Sequence, residues 1–181
     1  MCDESKQWQE FFSIGVGSKQ TGGKHVLFMD LDSCSKSEAE KIANNIIDDF
    51  ACGDCYVAES SPNNHHLVCL DLMSFDDVEK IAKDYSHETW LKHRKRGGDL
   101  VIRISPKVEV VDGKIVGSGK KPKLVSIIKS PFSYRQKSNA LRMIFQDMWN
   151  IAIPKDKQFN NTKKYRIHIY RMRFEKNGGG K

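Results

Sequence analysis

The segment His25-Val26-Leu27-Phe28-Met29-Asp30-Leu31-Asp32-Ser33 constrains this chain more than any other. Apolar residues lead into two carboxylates with one residue between them, the pattern of a buried strand that ends at the rim of a sheet. Alternate side chains of a strand share a face, so Asp30 and Asp32 point the same way, about 7 Å apart. Two like charges held so close repel each other and call for an external partner. A divalent cation with hard oxygen ligands is such a partner, as in Mg²⁺-dependent phosphoryl or nucleotidyl transfer. The plainer alternative is a strand running out into an acidic, solvated turn.

The rest of the chain reads as alternating strands and helices. Residues 1–23, with Gly15, Gly17, Gly22 and Gly23, read as a short helix over 8–12 and a flexible lead-in. A strand follows over 24–31. Ser35 and Glu38 have the spacing of a capping box, opening a helix to Phe50 with Ala39, Ile42, Ala43, Ile46 and Ile47 on one stripe. Strands over 55–59 and 65–70 flank a Ser/Pro/Asn-rich turn. Ser74 caps a second helix, 87–96 adds a helical segment, and strands over 100–105 and 123–129 flank a Gly/Lys-rich hairpin. A third helix spans 138–151, and a last strand spans 165–174. This order predicts an α+β fold, an antiparallel sheet with packed helices in a single compact domain over 24–176, followed by a disordered tail over 177–181.

The chain has 181 residues, a net charge of +7, 39% hydrophobic and 29% charged residues. No apolar run approaches the roughly 20 residues of a membrane span, and the N-terminus lacks the basic start and apolar stretch of a signal peptide. The expectation is an intracellular, cytoplasmic protein without a membrane partner. Basic residues gather at 92–96, 120–123 and 163–173, a distribution that attracts phosphate backbones, or else forms a solvated surface. Five cysteines, an odd number, argue against a disulfide framework. Cys52-Gly53-Asp54-Cys55 is a C-x-x-C without a second such pair, although Cys34, His65, His66 and Cys69 lie near in sequence. Free thiols are expected there, with zinc as the alternative.

The D-x-D strand is followed by a helix, a strand, and then Ser61-Pro62-Asn63-Asn64-His65-His66-Leu67-Val68-Cys69-Leu70, a serine turn leading through histidine into an apolar strand. This arrangement resembles the archaeo-eukaryotic primase superfamily, which includes primase–polymerases of plasmids and viruses. The resemblance implies an RRM-like antiparallel sheet and a metal-dependent nucleotidyltransferase acting in DNA replication. It makes Asp30 and Asp32 ligands of catalytic Mg²⁺ or Mn²⁺, and His66, rather than His65, a contact to the phosphates of the incoming nucleotide. The family's third motif supplies another carboxylate with basic residues after it. Asp99 is the first choice for that acid and Asp112 the second. Arg103 and Lys107, which share strand parity with Asp99, would grip the triphosphate. Lys129, in a Lys-Ser-Pro-Phe-Ser turn resembling a phosphate contact of small primase subunits, is a further candidate. The implied partners are nucleoside triphosphates, a single-stranded DNA or RNA template and a replicative helicase.

Two other readings compete. The segment around Asp30 also resembles the first motif of haloacid-dehalogenase-like phosphatases, with Asp30 as nucleophile and Asp32 as acid, but Cys34 stands where that family usually has Thr or Ser. A non-catalytic, RRM-like nucleic-acid-binding module is the other. Tyr165, Arg166, His168, Tyr170, Arg171 and Arg173 on the last strand would serve it by stacking bases and pairing phosphates.

Overall fold

Along the N-terminal segment Phe11 and Ser13 are half-buried while Phe12 and Ile14 are exposed. That period of two belongs to a strand, and the chain forms β1 (Trp8–Gly17) where the sequence suggested a helix and a flexible lead-in. The local pattern was ambiguous because Trp8, Phe11 and Phe12 also fit helical spacing. Long-range pairing decides it, since β1 runs antiparallel to the last strand from Trp8 opposite Glu175 to Val16 opposite Ile167. Gly17 serves close approach, not flexibility. A Cβ there would lie 2.2 Å from Asp99 Oδ2 and 2.9 Å from His168 Nε2.

The computed structural model describes residues 8–85, 99–111, 114–117 and 120–175. After β1 come β2 (His25–Leu31), α1 (Lys36–Phe50), β3 (Cys55–Ser61), β4 (Asn64–Met73) and α2 (Phe75–Tyr85). Then follow β5 (Val101–Arg103), β6 (Val108–Val111), β7 (Lys114–Gly117), β8 (Lys123–Ile128), α3 (Asn139–Trp149) and β9 (Ile167–Glu175). The capping box at α1 is present: Ser35 Oγ accepts from the Glu38 N–H and a Glu38 carboxylate oxygen accepts from the Ser35 N–H. Ser74 Oγ likewise accepts from the Asp77 N–H at the start of α2, and Ser138 Oγ from the Leu141 N–H at the start of α3. The helical segment suggested for 87–96, the basic group 92–96, Asp112 and the tail 177–181 lie outside the described residues.

The fold is α+β, a single compact domain whose described strand ladders are all antiparallel. The strands divide between a four-stranded sheet in the order β2-β4-β3-β8 and a three-stranded sheet in the order β5-β1-β9, with β6 and β7 as a separate hairpin. The two larger sheets meet where the Val26 N–H donates to the Ser18 carbonyl and Lys19 bridges to His25.

The core lies on both faces of the four-stranded sheet. Phe28 on β2 meets Phe145 of α3 edge-on at 5.9 Å, and Tyr56 on β3 stacks on Trp149 at 5.7 Å. Leu27 and Met29 point the opposite way by strand alternation. α2 meets that end of β2 through Phe75 against His25, while α1 packs on β3, β4 and β8. Leu27, Phe28, Met29, Leu67 and Val68 are fully buried, which pins the register of β2 on β4: a slip by one residue would turn every side chain to the other face.

Gly17→Ala is expected to lower stability by about 1–3 kcal/mol, the usual cost of inserting a methyl group into filled space. Chemical denaturation checks it. A variant as stable as the wild type would return this segment to the flexible lead-in suggested by the sequence.

Candidate active site

The register that buries Leu27 and Phe28 sets Asp30 directly opposite His66. Directly opposed residues point to the same face of a sheet, and His66 Nε2 lies 3.6 Å from Asp30 Oδ1. His66 is buried, Asp30 half-buried, and Asp32, one residue past the end of β2, exposed. His65 points the other way, its Nδ1 2.8 Å from the Cys34 carbonyl.

The turn between β3 and β4 is tied to the end of β2. Asn64 Nδ2 donates to Ser61 Oγ and to the Pro62 carbonyl, while Asn64 Oδ1 accepts from the Ser33 N–H. The Cys34 N–H donates to the Asn63 carbonyl. These bonds hold Asp32 beside Ser60, Ser61 and Asn64 around one cavity.

That cavity has a volume of about 450 Å³ and opens between the two sheets. Asp30, Asp32 and His66 line one wall, with Arg103 and Lys107 on another. The Arg103 guanidinium is aimed by bonds to the Ser60 and Ser105 carbonyls. Five of the seven site residues expected from the sequence therefore come together, drawn from β2 and its end, β4, β5 and the segment after β5.

The other two stand elsewhere. Asp99 is buried and absent from the cavity lining. Its Oδ1 accepts from Ser18 Oγ at 3.0 Å and from the Lys19 N–H at 2.8 Å, and its Oδ2 lies 3.0 Å from His168 Nε2. Strand parity had put Asp99 with Arg103 and Lys107, but β5 begins only at Val101, so parity does not reach back to Asp99. The carboxylate instead clamps the end of β1. Lys129 forms an ion pair with Asp54 at 2.7 Å and lines a different cavity, of about 160 Å³.

Ser13 and Gly15 also line the cavity, from β1; nothing in the sequence marks them, because the aromatic run before them fits a helix as well as a strand. Tyr170 and Arg171 of β9 also line it. The sequence marked them only as residues of a basic, aromatic strand.

Asp30, Asp32 and His66 do not bring three ligand atoms within 4.8 Å of one another; among the described residues only Cys52, Cys69 and Asp71 do so. Two carboxylates on one rim nevertheless fit Mg²⁺ or Mn²⁺, which is commonly held by one or two carboxylates and completed by substrate phosphates and water. No family model matches this chain, and no curated protein or solved structure matches it.

Beside the clamp, His25 Nδ1 lies 3.0 Å from Ser18 Oγ. Burial pushes the His25 pKa below its ordinary 6.5, with Asp99 pulling the other way. The folded state therefore holds this proton less tightly than the unfolded state. The stability this preserves is present above pH 6.5 and is lost as pH falls from there through the depressed folded value. In melts across that range the wild type should lose more stability than His25→Gln; equal losses would show that His25 does not set this part of the profile.

Proposed function

We propose that this protein is a metal-dependent nucleotidyltransferase of the primase–polymerase kind, serving the DNA replication of a replicon or mobile element. The observation that carries the reading is the convergence of Asp30, Asp32, His66, Arg103 and Lys107 on one cavity. Carboxylates on one wall and cations on another match a triphosphate carried with a divalent metal. Asp30 and Asp32 would hold Mg²⁺ or Mn²⁺, which, when bound, draws negative charge from the phosphates.

Each remaining residue has a role that its surroundings support. Arg103, steadied by the Ser60 carbonyl, pairs phosphate oxygens as a planar fork, and Lys107 adds a second positive charge. His66 donates to a phosphate oxygen, its ring oriented by Asp30 across the strand pair. Tyr170 offers an aromatic face to a base at the cavity rim. The hydroxyl of a growing strand would attack the α-phosphate, with pyrophosphate leaving toward Arg103 and Lys107. Template strands would follow the basic residues of 120–123 and 163–173, and a replicative helicase is the partner such an enzyme serves. No helix among the described residues is long and apolar enough to cross a membrane.

One observation favours a second reading, a module that binds nucleic acid without transferring nucleotides. Asp99 is engaged with Ser18, Lys19 and His168, so the third acid of the primase pattern is not supplied from that position.

A set of substitutions separates the two. Asp30→Ala and Asp32→Ala should each abolish Mn²⁺-dependent nucleotide incorporation in a primer-extension assay while the protein stays folded. His66→Ala and Arg103→Ala should each weaken nucleotide binding roughly 10- to 150-fold, the value of one charge-assisted contact, with little change in affinity for single strands. Incorporation at the wild-type rate by either aspartate variant would remove the catalytic assignment. A wild type whose melting temperature no nucleotide shifts in Mn²⁺ would leave the binding module.

A further inference from the structure

Cys55, the first residue of β3, pairs directly with Cys69 on β4. Their side chains share a face, and strand alternation makes it the face opposite His66. α1 ends in Ala51, in a left-handed conformation with φ 48°, and the loop after it brings Cys52 over the same spot. The sulfur atoms of Cys52 and Cys69 and a carboxylate oxygen of Asp71 all lie within 4.8 Å of one another. The Cys55 and Cys69 thiols both donate to the Gly53 carbonyl, at 3.9 and 3.8 Å, and the Cys52 thiol to the Phe50 carbonyl at 3.9 Å. All four residues are at most 1% exposed.

The carboxylate shows that this is more than a cluster of inert core thiols. Asp71 Oδ2 accepts from the Gly53 N–H at 2.7 Å, whereas its Oδ1, also buried, has no hydrogen-bond partner. A buried carboxylate oxygen left without a donor is costly, so native structures rarely keep one. The loop is built to close on that atom, because a Cβ at Gly53 would lie 2.6 Å from Asp71 Oδ1. Two cations stand beside the group in the segment before α3: the buried Lys137 is joined to Asp71 by a β-bridge, and Arg135 donates to the Phe50 carbonyl, which the Cys52 thiol also meets.

We propose that Cys52, Cys69 and Asp71 bind a structural zinc ion, with Cys55, the cross-strand neighbour of Cys69, drawn in as the fourth ligand. Thiolates select a borderline-soft cation such as Zn²⁺, and four protein ligands make the closed tetrahedral site typical of structural zinc. Binding exchanges the three thiol protons, released to water, for the metal. Three thiolates and a carboxylate around a dication leave two negative charges, which Arg135 and Lys137 balance. The ion would satisfy Asp71 Oδ1 and fasten the α1–β3 loop to β4, the strand that carries His66 on its other face. This site is independent of the nucleotide cavity and of the activity proposed for it.

The test uses the full chain, purified without chelators, loaded with zinc and dialysed against metal-free buffer before its metal content is measured. The expected result is one zinc per chain, a melting temperature lowered by chelation, and a thiolate-to-metal charge-transfer band on replacement with Co²⁺. Asp71→Asn, which keeps an acceptor for the Gly53 N–H, should weaken zinc retention, and Cys69→Ser should weaken the cobalt–thiolate band by at least about a third, as expected for the loss of one of three thiolates. Asp30→Asn, in the other cavity, should retain the zinc. If the cysteine variant does not fold, the wild-type stoichiometry and cobalt spectrum decide. A wild type that holds no zinc after loading, gives no cobalt–thiolate band and melts alike with zinc and chelator would overturn the site. So would zinc that Asp30→Asn loses and Asp71→Asn keeps.

Discussion

The antiparallel register of β2 on β4 is the constraint on which the rest of this molecule depends. It is fixed by burial, because Leu27, Phe28 and Met29 on one strand and Leu67, Val68 and Cys69 on the other are fully enclosed. Shifting one strand by a residue would drive this apolar set out of its packing and turn Asp30 and His66 to different faces. The same pairing thus builds the core and sets an acid across from a histidine at the sheet's rim. A site placed at the ends of such strands inherits their rigidity.

The second sheet turns that rim into a cavity. β1, paired along nearly its whole length with β9, supplies Ser13 and Gly15, and β9 supplies Tyr170 and Arg171. The buried Asp99 ties this sheet together, its oxygens engaging Ser18, Lys19 and His168, and the sheet meets the first where the Val26 N–H donates to the Ser18 carbonyl. A residue suggested as a catalytic acid thus acts as a clamp. Its bonds reach the residues that follow β1 and the His168 side chain of β9, and so fix the wall that this sheet supplies.

Much of this was legible in the sequence because it is local. The capping serines at 35, 74 and 138, the stripe of Ala39, Ala43 and Ile46, and the apolar run before Asp30 are patterns read within a few residues, where propensity and burial agree. Grouping Asp30, Asp32, His66, Arg103 and Lys107 needed only strand alternation and a resemblance, and the fold brings the five together. The N-terminal strand was missed because a short aromatic run satisfies both periodicities, and only its pairing with a strand some 160 residues later chooses between them.

By itself the sequence determined the α+β class, the strand that presents two carboxylates, and the histidine that opens the strand after the serine turn. Each follows from side-chain spacing along a single element. Tertiary structure alone decided which acid faces the cavity and which one clamps the end of β1 to β9, since Asp99 and Asp30 look alike until their neighbours are known. It also decided that Lys129 answers Asp54, that Tyr170 meets the cavity, and that Cys52, Cys69 and Asp71 converge beside Cys55. Those outcomes depend on pairing register and loop closure between distant segments, where the energy of one arrangement is shared among many residues and written in none of them singly.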